Sequence, residues 1–373
     1  MNDTLESLRD QLGEVDSRLL DALAERMKLA ERVAIAKAGG ARAPFDRERE
    51  NAHLAALEDA ARGRGLPVDV LRDVYAVLFA ASRVVQSARK LDRLERFRVG
   101  VIGATAGMGQ FLAEQLGRAG FEVAGIGLES QESPEALAAR VDVVFLAVPI
   151  SVTVEMAERI GPHVRARCCL ADITSLKSEP VAAMLRATRD DVEVVGTHPM
   201  FGPSSPSFDR QKVVVCEGRG ERWRARLAEL FAALGAEVVH ASAEEHDRHM
   251  ALIQVLVHEK TMIMGSVLER LGADLRRSLD FASPIYRAEL SMIGRMYSQS
   301  ADLYAGIVTQ NPEGARVLAT FRDEAERLTR LAEHGDRDAI ASRFVQVAGF
   351  LHDFASWAKR QSDAILADLV RHG

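Results

Sequence analysis

The chain has 373 residues, 47% of them hydrophobic and 27% charged, which suits a globular protein with room for two or three domains. A net charge of −6 excludes a nucleic-acid partner that would need a broad basic surface. Cys168 and Cys169 are adjacent and Cys216 is alone, so there is no disulfide framework and no zinc spacing, and a reducing cytosol is expected. The start, MNDTLESLRD, is acidic and polar, so no secretory signal is expected. The longest apolar run, VDVVFLAVPISV, is too short and interrupted to span a bilayer, and no membrane partner is expected.

Leu5, Leu8, Leu12, Val15, Leu19, Leu23, Met27, Ala30 and Val33 recur at steps of three or four, which predicts an amphipathic helix over 3–38. AGGARAPFD (38–46) breaks it. A second helix is predicted over 46–62 and, after RGRGLP, a third over 68–94. Three helices form a thin unit over 1–92, one that needs a partner chain to bury its apolar face. At Arg98 the rhythm changes. RVGVIG, FEVAGIGL, VDVVFLAVP, RCCLADI, VEVVGTHP, KVVVCEG and AEVVHAS are short β-branched runs, several alternating with helical segments such as 108–119, 150–160 and 221–234. That alternation implies a parallel sheet covered on both faces. After about Ser242 the chain reads as helical. The fold class is multidomain: an all-α unit over 1–92, an α/β Rossmann-like domain over 98–242, and an all-α unit over 243–373.

RVGVIGATAGMGQFLAEQL is a strand, a glycine-bearing turn and a helix. Gly103, Gly107 and Gly109, with Met108 between them, let backbone approach a phosphate at a helix N-terminus. The spacing departs from G-x-G-x-x-G, because positions 104 and 106 are alanine. Glu129, just beyond the second strand, stands where an acid binds a ribose hydroxyl, which favours NAD as cofactor. GTHPMFGPSSP (196–206) places His198 at a strand end, with Pro199 and Pro203 fixing two φ angles after it. Such a histidine serves either as a proton acceptor near neutral pH or as part of a rigid loop. His240, His246, His249 and His258 are spaced by six, three and nine residues, which builds no metal site on one helix face, so no metal is expected. His246 and Asp247 are read instead as supporting or helix-capping residues.

LRDQLGEVDSRLLDALAERMKLAERVAIAK, FDRERE, THPMFGP, EEHDRHMALIQ and SPIYRAELSMIGR, in that order, resemble the bifunctional chorismate mutase–prephenate dehydrogenases of tyrosine biosynthesis, and the likeness covers nearly the whole chain. The resemblance implies a first domain that rearranges chorismate to prephenate. The remainder would oxidise and decarboxylate prephenate to 4-hydroxyphenylpyruvate with NAD. It implies a cytoplasmic homodimer closed by a C-terminal dimerisation unit, with L-tyrosine as a feedback inhibitor.

The rearrangement is pericyclic and needs no nucleophile, only cations and donors that hold a folded dianion and stabilise the breaking ether oxygen. Arg26 and Lys37 lie about 16 Å apart on one face of the first helix. Asp46, Arg49 and Glu50 share a second face, and Ser82 and Gln86 a third. The resemblance gives the carboxylates to Arg26 and Arg49, the ether oxygen to Lys37 and Gln86, and the ring-hydroxyl side to Asp46 and Glu50. Arg9 also matches, but about 25 Å of helix separates it from Arg26; the family places it in the partner subunit's site. Some relatives carry Glu where Gln86 stands, and an amide donates without first being protonated.

For the dehydrogenase, the resemblance makes His198 the catalytic base, Ser175 its partner, Arg295 the clamp on a prephenate carboxylate and His258 a substrate-pocket residue. Arg287 is a second arginine candidate. Val148 and Pro149 match the segment under the nicotinamide half. Two other readings remain at this level: an active dehydrogenase with a non-catalytic helical module in front, or another NAD(P)-linked dehydrogenase acting on a β-hydroxy acid or an imine.

Overall fold

The computed structural model describes residues 4–37 and 47–372, with side chains over 4–33, 49–83 and 90–370. It divides into two compact units: Met1–Val148 with Thr153–Thr174 and Glu179–Ala243, and Pro149–Val152 with Ser175–Ser178 and Glu244–Gly373.

The first unit begins with α1 (Leu5–Lys37), α2 (Arg47–Arg62) and α3 (Val68–Leu91), α3 packing on both others. Among the described residues before Arg96, only Ala61, Ser82 and Arg83 are buried, and two of those three are polar. Leu23, Met27 and Ala30 of the stripe that predicted α1 are half-buried, whereas its first half is exposed, Leu5 to 66%, Leu12 to 63% and Leu19 to 56%. Leaving each such side chain in water forgoes about 1.5–3 kcal/mol of burial.

A seven-stranded sheet follows. Its elements in chain order are β1 (Arg98–Ile102), α4 (Gly107–Arg118), β2 (Glu122–Ile126), α5 (Pro134–Ala138), β3 (Val143–Leu146), α6 (Ile150–Ile160), β4 (Cys169–Asp172), α7 (Ser178–Ala187), β5 (Glu193–Pro199), β6 (Lys212–Arg219), α8 (Arg222–Ala233) and β7 (Glu237–Ala241). The order across the sheet is β2-β1-β3-β4-β5-β6-β7. One face is covered by a cluster containing Phe111, Phe145, Phe208, Trp223 and Phe231, the other by Leu137, Leu146, Ile160, Leu170 and Met184. Burial on both faces explains why the strands read as continuous apolar runs. The sheet is not wholly parallel: β6 runs antiparallel to β5. Residues 200–211 join the two without a helix, and a parallel return needs a crossover, usually helical.

The second unit is helical: α9 (Ala243–Met250), a π-helical turn (Ala251–Leu256), α10 (Val257–Arg270), α11 (Leu275–Leu279), α12 (Pro284–Tyr297), α13 (Ala301–Gln310), α14 (Gly314–Glu333) and α15 (Arg337–His372), which is interrupted at His352, φ 41°. Asp274, Ser283 and Ser300 cap α11, α12 and α13 through side-chain oxygens. Its core joins Ile150, Leu176, Val255 and Ile307. One helical stretch, Ala243–Arg270, is long and apolar enough by composition to cross a bilayer, which for a single helix is weak evidence.

Candidate active sites

The glycine turn sits where the strand order reverses at β1, the place where open α/β sheets bind nucleotides. Gly103 has φ +96°, and a Cβ there would stand 2.3 Å from the carbonyl oxygen of Ala147, at the end of β3. A Cβ on Gly109 would stand 2.1 Å from the Gly103 oxygen. These two glycines let turn, helix and strand close on one another. Gly107, φ +56°, has nothing within 4 Å of a built Cβ and borders open space. Ala106 precedes α4 in extended conformation without a side-chain cap, so the first N–H groups of the helix remain for an anion. The departure from G-x-G-x-x-G has a structural partner: Gly125 and Gly127 leave room for the Ala104 and Thr105 side chains. Met108 packs on the core, and Glu129 is exposed beyond β2. This cradle fits the pyrophosphate of a dinucleotide. Val148 is half-buried after β3, and Pro149 is exposed ahead of α6.

His198 is 4% exposed and pairs across the sheet with Val214. Beside it, the Thr197 hydroxyl donates to the carbonyl of Asp172 at 2.5 Å. The loop that leaves His198 is fixed by rings. Phe201 and Phe208 meet each other at 5.4 Å and meet Phe111 of α4 at 5.5 and 5.2 Å, each contact contributing about 0.5–1.5 kcal/mol. The stretch after His198 is therefore anchored to the helix of the glycine turn.

Ser175, half-buried, opens a stretch held by Asp247. The backbone N–H groups of Lys177 and Ser178 donate to the two Asp247 oxygens at 2.9 and 2.8 Å, and His246 Nδ1 lies 2.8 Å from Oδ1. Burial pushes the Asp247 carboxyl up, but the hydrogen bonds from His246, Ser178 and Lys177 outweigh it and hold the group below its ordinary value. The pair thus caps α7 rather than its own helix.

His258 and Arg295 both line one cavity of about 550 Å3, with Thr261, Tyr304 and Ile365. The His258 and Tyr304 rings meet edge to face at 4.8 Å. Burial lowers the His258 pKa, which favours the neutral imidazole, and burial raises that of Tyr304 against the pull of Arg295. Arg287, two turns earlier on α12, does not line this cavity.

On the N-terminal helices, Arg26 Nη1 donates to Ser82 Oγ at 2.8 Å and to the Leu78 carbonyl at 3.1 Å. Its guanidinium lies over the Phe79 ring at 5.6 Å. Glu50 accepts from Arg83 Nη1 at 3.1 and 3.0 Å. Ser82 and Arg83 are consecutive, so Arg26 and Glu50 reach the same turn of α3 from α1 and α2. Arg49 and Arg9 are exposed. Asp46 and the side chains of Lys37 and Gln86 lie outside the described residues.

Three known families match successive parts of the chain: chorismate mutase type II over residues 8–87, the prephenate dehydrogenase nucleotide-binding domain over 114–240, and the prephenate dehydrogenase dimerization domain over 242–346. The T-protein of Haemophilus influenzae is 31% identical over 366 residues, 98% of this chain and 97% of the relative. The chain belongs to the T-protein family. The T-protein of Enterobacter agglomerans is 32% identical and covers 97% of each chain. In T-protein fashion the chain joins a chorismate mutase to a prephenate dehydrogenase, and the reading as another dehydrogenase falls away. A prephenate dehydrogenase from A. aeolicus, solved with hydroxyphenyl propionate and NAD+, shares the fold of the later part: TM-score 0.55, 18% identity, 69% of this chain and 97% of that one.

Sequence reasoning passed over Tyr304, Asp247 as a clamp on the Ser175 stretch, and Arg83. For Asp247 the adjacent His and Asp in EEHDRHM were a signal. For Tyr304 and Arg83 there was none, because each meets its neighbours from chain far away in sequence.

Proposed function

We propose that this T-protein runs its two reactions with the residues described above, across the domains 1–92, 98–242 and 243–373. In the mutase half, Arg26 and Arg49, with Arg9 of the partner subunit, take the two carboxylates of chorismate. Lys37 and Gln86 donate to the ether oxygen, Asp46 and Glu50 orient the ring-hydroxyl side, and Ser82 binds substrate beside Arg26. One C–O bond breaks as one C–C bond forms, and no proton moves, so folding the substrate and stabilising its charge suffice.

In the dehydrogenase half, Gly103, Gly107, Met108 and Gly109 receive the pyrophosphate of NAD, Glu129 a ribose hydroxyl, and Val148 and Pro149 flank the nicotinamide half. NAD, when bound, supplies the hydride acceptor. His198 takes the proton of the ring hydroxyl as that carbon loses hydride, with Ser175 orienting the imidazole. Arg295 forks onto a carboxylate of prephenate, His258 lines the substrate pocket, and Arg287 is a second arginine for the side chain. The electrons of the departing carboxylate carbon bond restore aromaticity as CO2 leaves.

The observation that supports both halves best is that Arg26 and Ser82 meet on the N-terminal helices of a chain whose sheet carries a glycine turn at its switch point. Supplying purified protein with chorismate should accumulate prephenate, and adding NAD should convert it to 4-hydroxyphenylpyruvate. Lys37→Ala should abolish chorismate consumption and spare NADH formation from prephenate; unchanged chorismate consumption would sink the mutase assignment. We further propose a cytosolic homodimer, in line with the exposed apolar face of α1, and inhibition by L-tyrosine.

A further inference from the structure

We propose that Arg83 is a positioning residue shared by the two catalytic halves, orienting Glu50 of the mutase site and tying it, through Asp209, to the dehydrogenase loop that follows the strand of His198. The proposal rests on the assignment of Glu50 to chorismate.

Arg83 is 5% exposed, the most deeply buried cation of the described N-terminal helices. Its Nη1 holds both oxygens of Glu50, at 3.1 and 3.0 Å. The opposite edge forks onto Asp209: Nε lies 2.9 and 3.1 Å from its two oxygens, and Nη2 lies 3.1 Å from Oδ2. Two carboxylates therefore share one guanidinium, and whatever Glu50 does changes what Asp209 feels. A buried cation stripped of one partner is expensive, so neither carboxylate leaves freely. Only a planar fork serves both sides at once; an ammonium would not.

Asp209 is not a stray surface acid. The Ser207 hydroxyl accepts its N–H at 3.2 Å, and Gly235, φ +98°, packs against its Cα where a Cβ would stand only 3.2 Å away. The preceding residue is Phe208, fully buried and ringed by Phe111, Phe201 and Phe231. Arg83 is thus coupled to the loop between His198 and β6, and through Phe111 to the helix of the glycine turn. Any ligand that draws on Glu50 alters the load on this loop, and by linkage the loop alters the ligand's affinity.

The test uses the full chain and assays the two activities separately, with chorismate and with prephenate plus NAD. Asp209→Asn keeps size and shape and so perturbs folding less than Arg83→Met, and a melting temperature accompanies each variant. Although 126 residues separate Asp209 from Arg83, Asp209→Asn should raise the chorismate KM about fivefold or more, a typical coupling, with a smaller change in kcat. Arg83→Met should raise it at least as far, Arg83→Lys should restore it only in part, and Asp209→Asn should add nothing in the Arg83→Met background. If Asp209→Asn leaves the chorismate KM within about twofold while Glu50→Ala raises it, Arg83 is a structural ion pair and the proposal fails although the mutase assignment stands. If Glu50→Ala leaves the mutase untouched, it is the assignment of Glu50 that has failed.

Discussion

His198 carries the sharpest residue-scale consequence. A sheet position fixes its Cα, and burial to 4% exposure shields its ring, which suits the base proposed for it. His198→Asn should cut NADH formation from prephenate by about 10²–10⁴-fold and leave prephenate production from chorismate intact; loss of both activities together would make the histidine structural. Asp247 yields a second prediction. Its pKa lies below its ordinary value, so its stabilisation is full at neutral pH, is present above the unfolded value near 4, and is lost as acid carries the pH down through the folded value. Asp247→Asn should cost about 1.5–3 kcal/mol at pH 7 and flatten the fall of melting temperature below about pH 4. Glutamine at 86 yields a third: an amide has no proton to lose, so mutase activity should hold at alkaline pH and acquire an alkaline loss in Gln86→Glu. The strand end at His198 and the adjacent His246 and Asp247 were legible because such spacing is local. The partners of Asp247 at 177 and 178 were not, since nothing in the intervening chain announces that the two stretches meet.

At the scale of elements, the glycine turn separates close packing from conformational freedom. Gly109→Ala would drive a methyl group into a backbone oxygen, so the turn must shift, and NAD affinity measured by titration should collapse together with some stability. Gly107→Ala meets open space and suffers only the left-handed backbone, about 1–2 kcal/mol. Equal losses in the two variants would contradict the packing role of Gly109. Every β-branched run became a strand and every three-four periodicity a helix, because burial on one face or two writes its period into the chain. Direction is different. Residues 200–211 show as a loop, but whether the next strand turns back depends on the hydrogen-bonding edge it finds, and β6 found β5 antiparallel.

For the molecule as a whole, the decisive fact is that the three N-terminal helices bury only Ala61, Ser82 and Arg83 among their described residues, while Leu5, Leu12 and Leu19 stay in water. Such a unit suits the homodimer proposed above. If Arg9 completes the partner's site, a 1:1 mixture of refolded Arg9→Ala and Arg26→Ala chains should recover roughly a quarter of wild-type mutase activity, since half the dimers are mixed and each mixed dimer has one intact site. Recovery no greater than that of either variant alone would keep Arg9 out of the site.

By itself the sequence determined the order of domains, the helices and strands, the glycine turn and the histidine at a strand end, because these follow from periodicity and spacing over a few residues. Only the tertiary structure decided that β6 turns back, that Arg295 shares a cavity with His258 and Tyr304, and that Arg83 lies between Glu50 and Asp209. Those contacts join residues far apart in sequence, and a buried charge is stable only where the fold happens to bring its counter-charges.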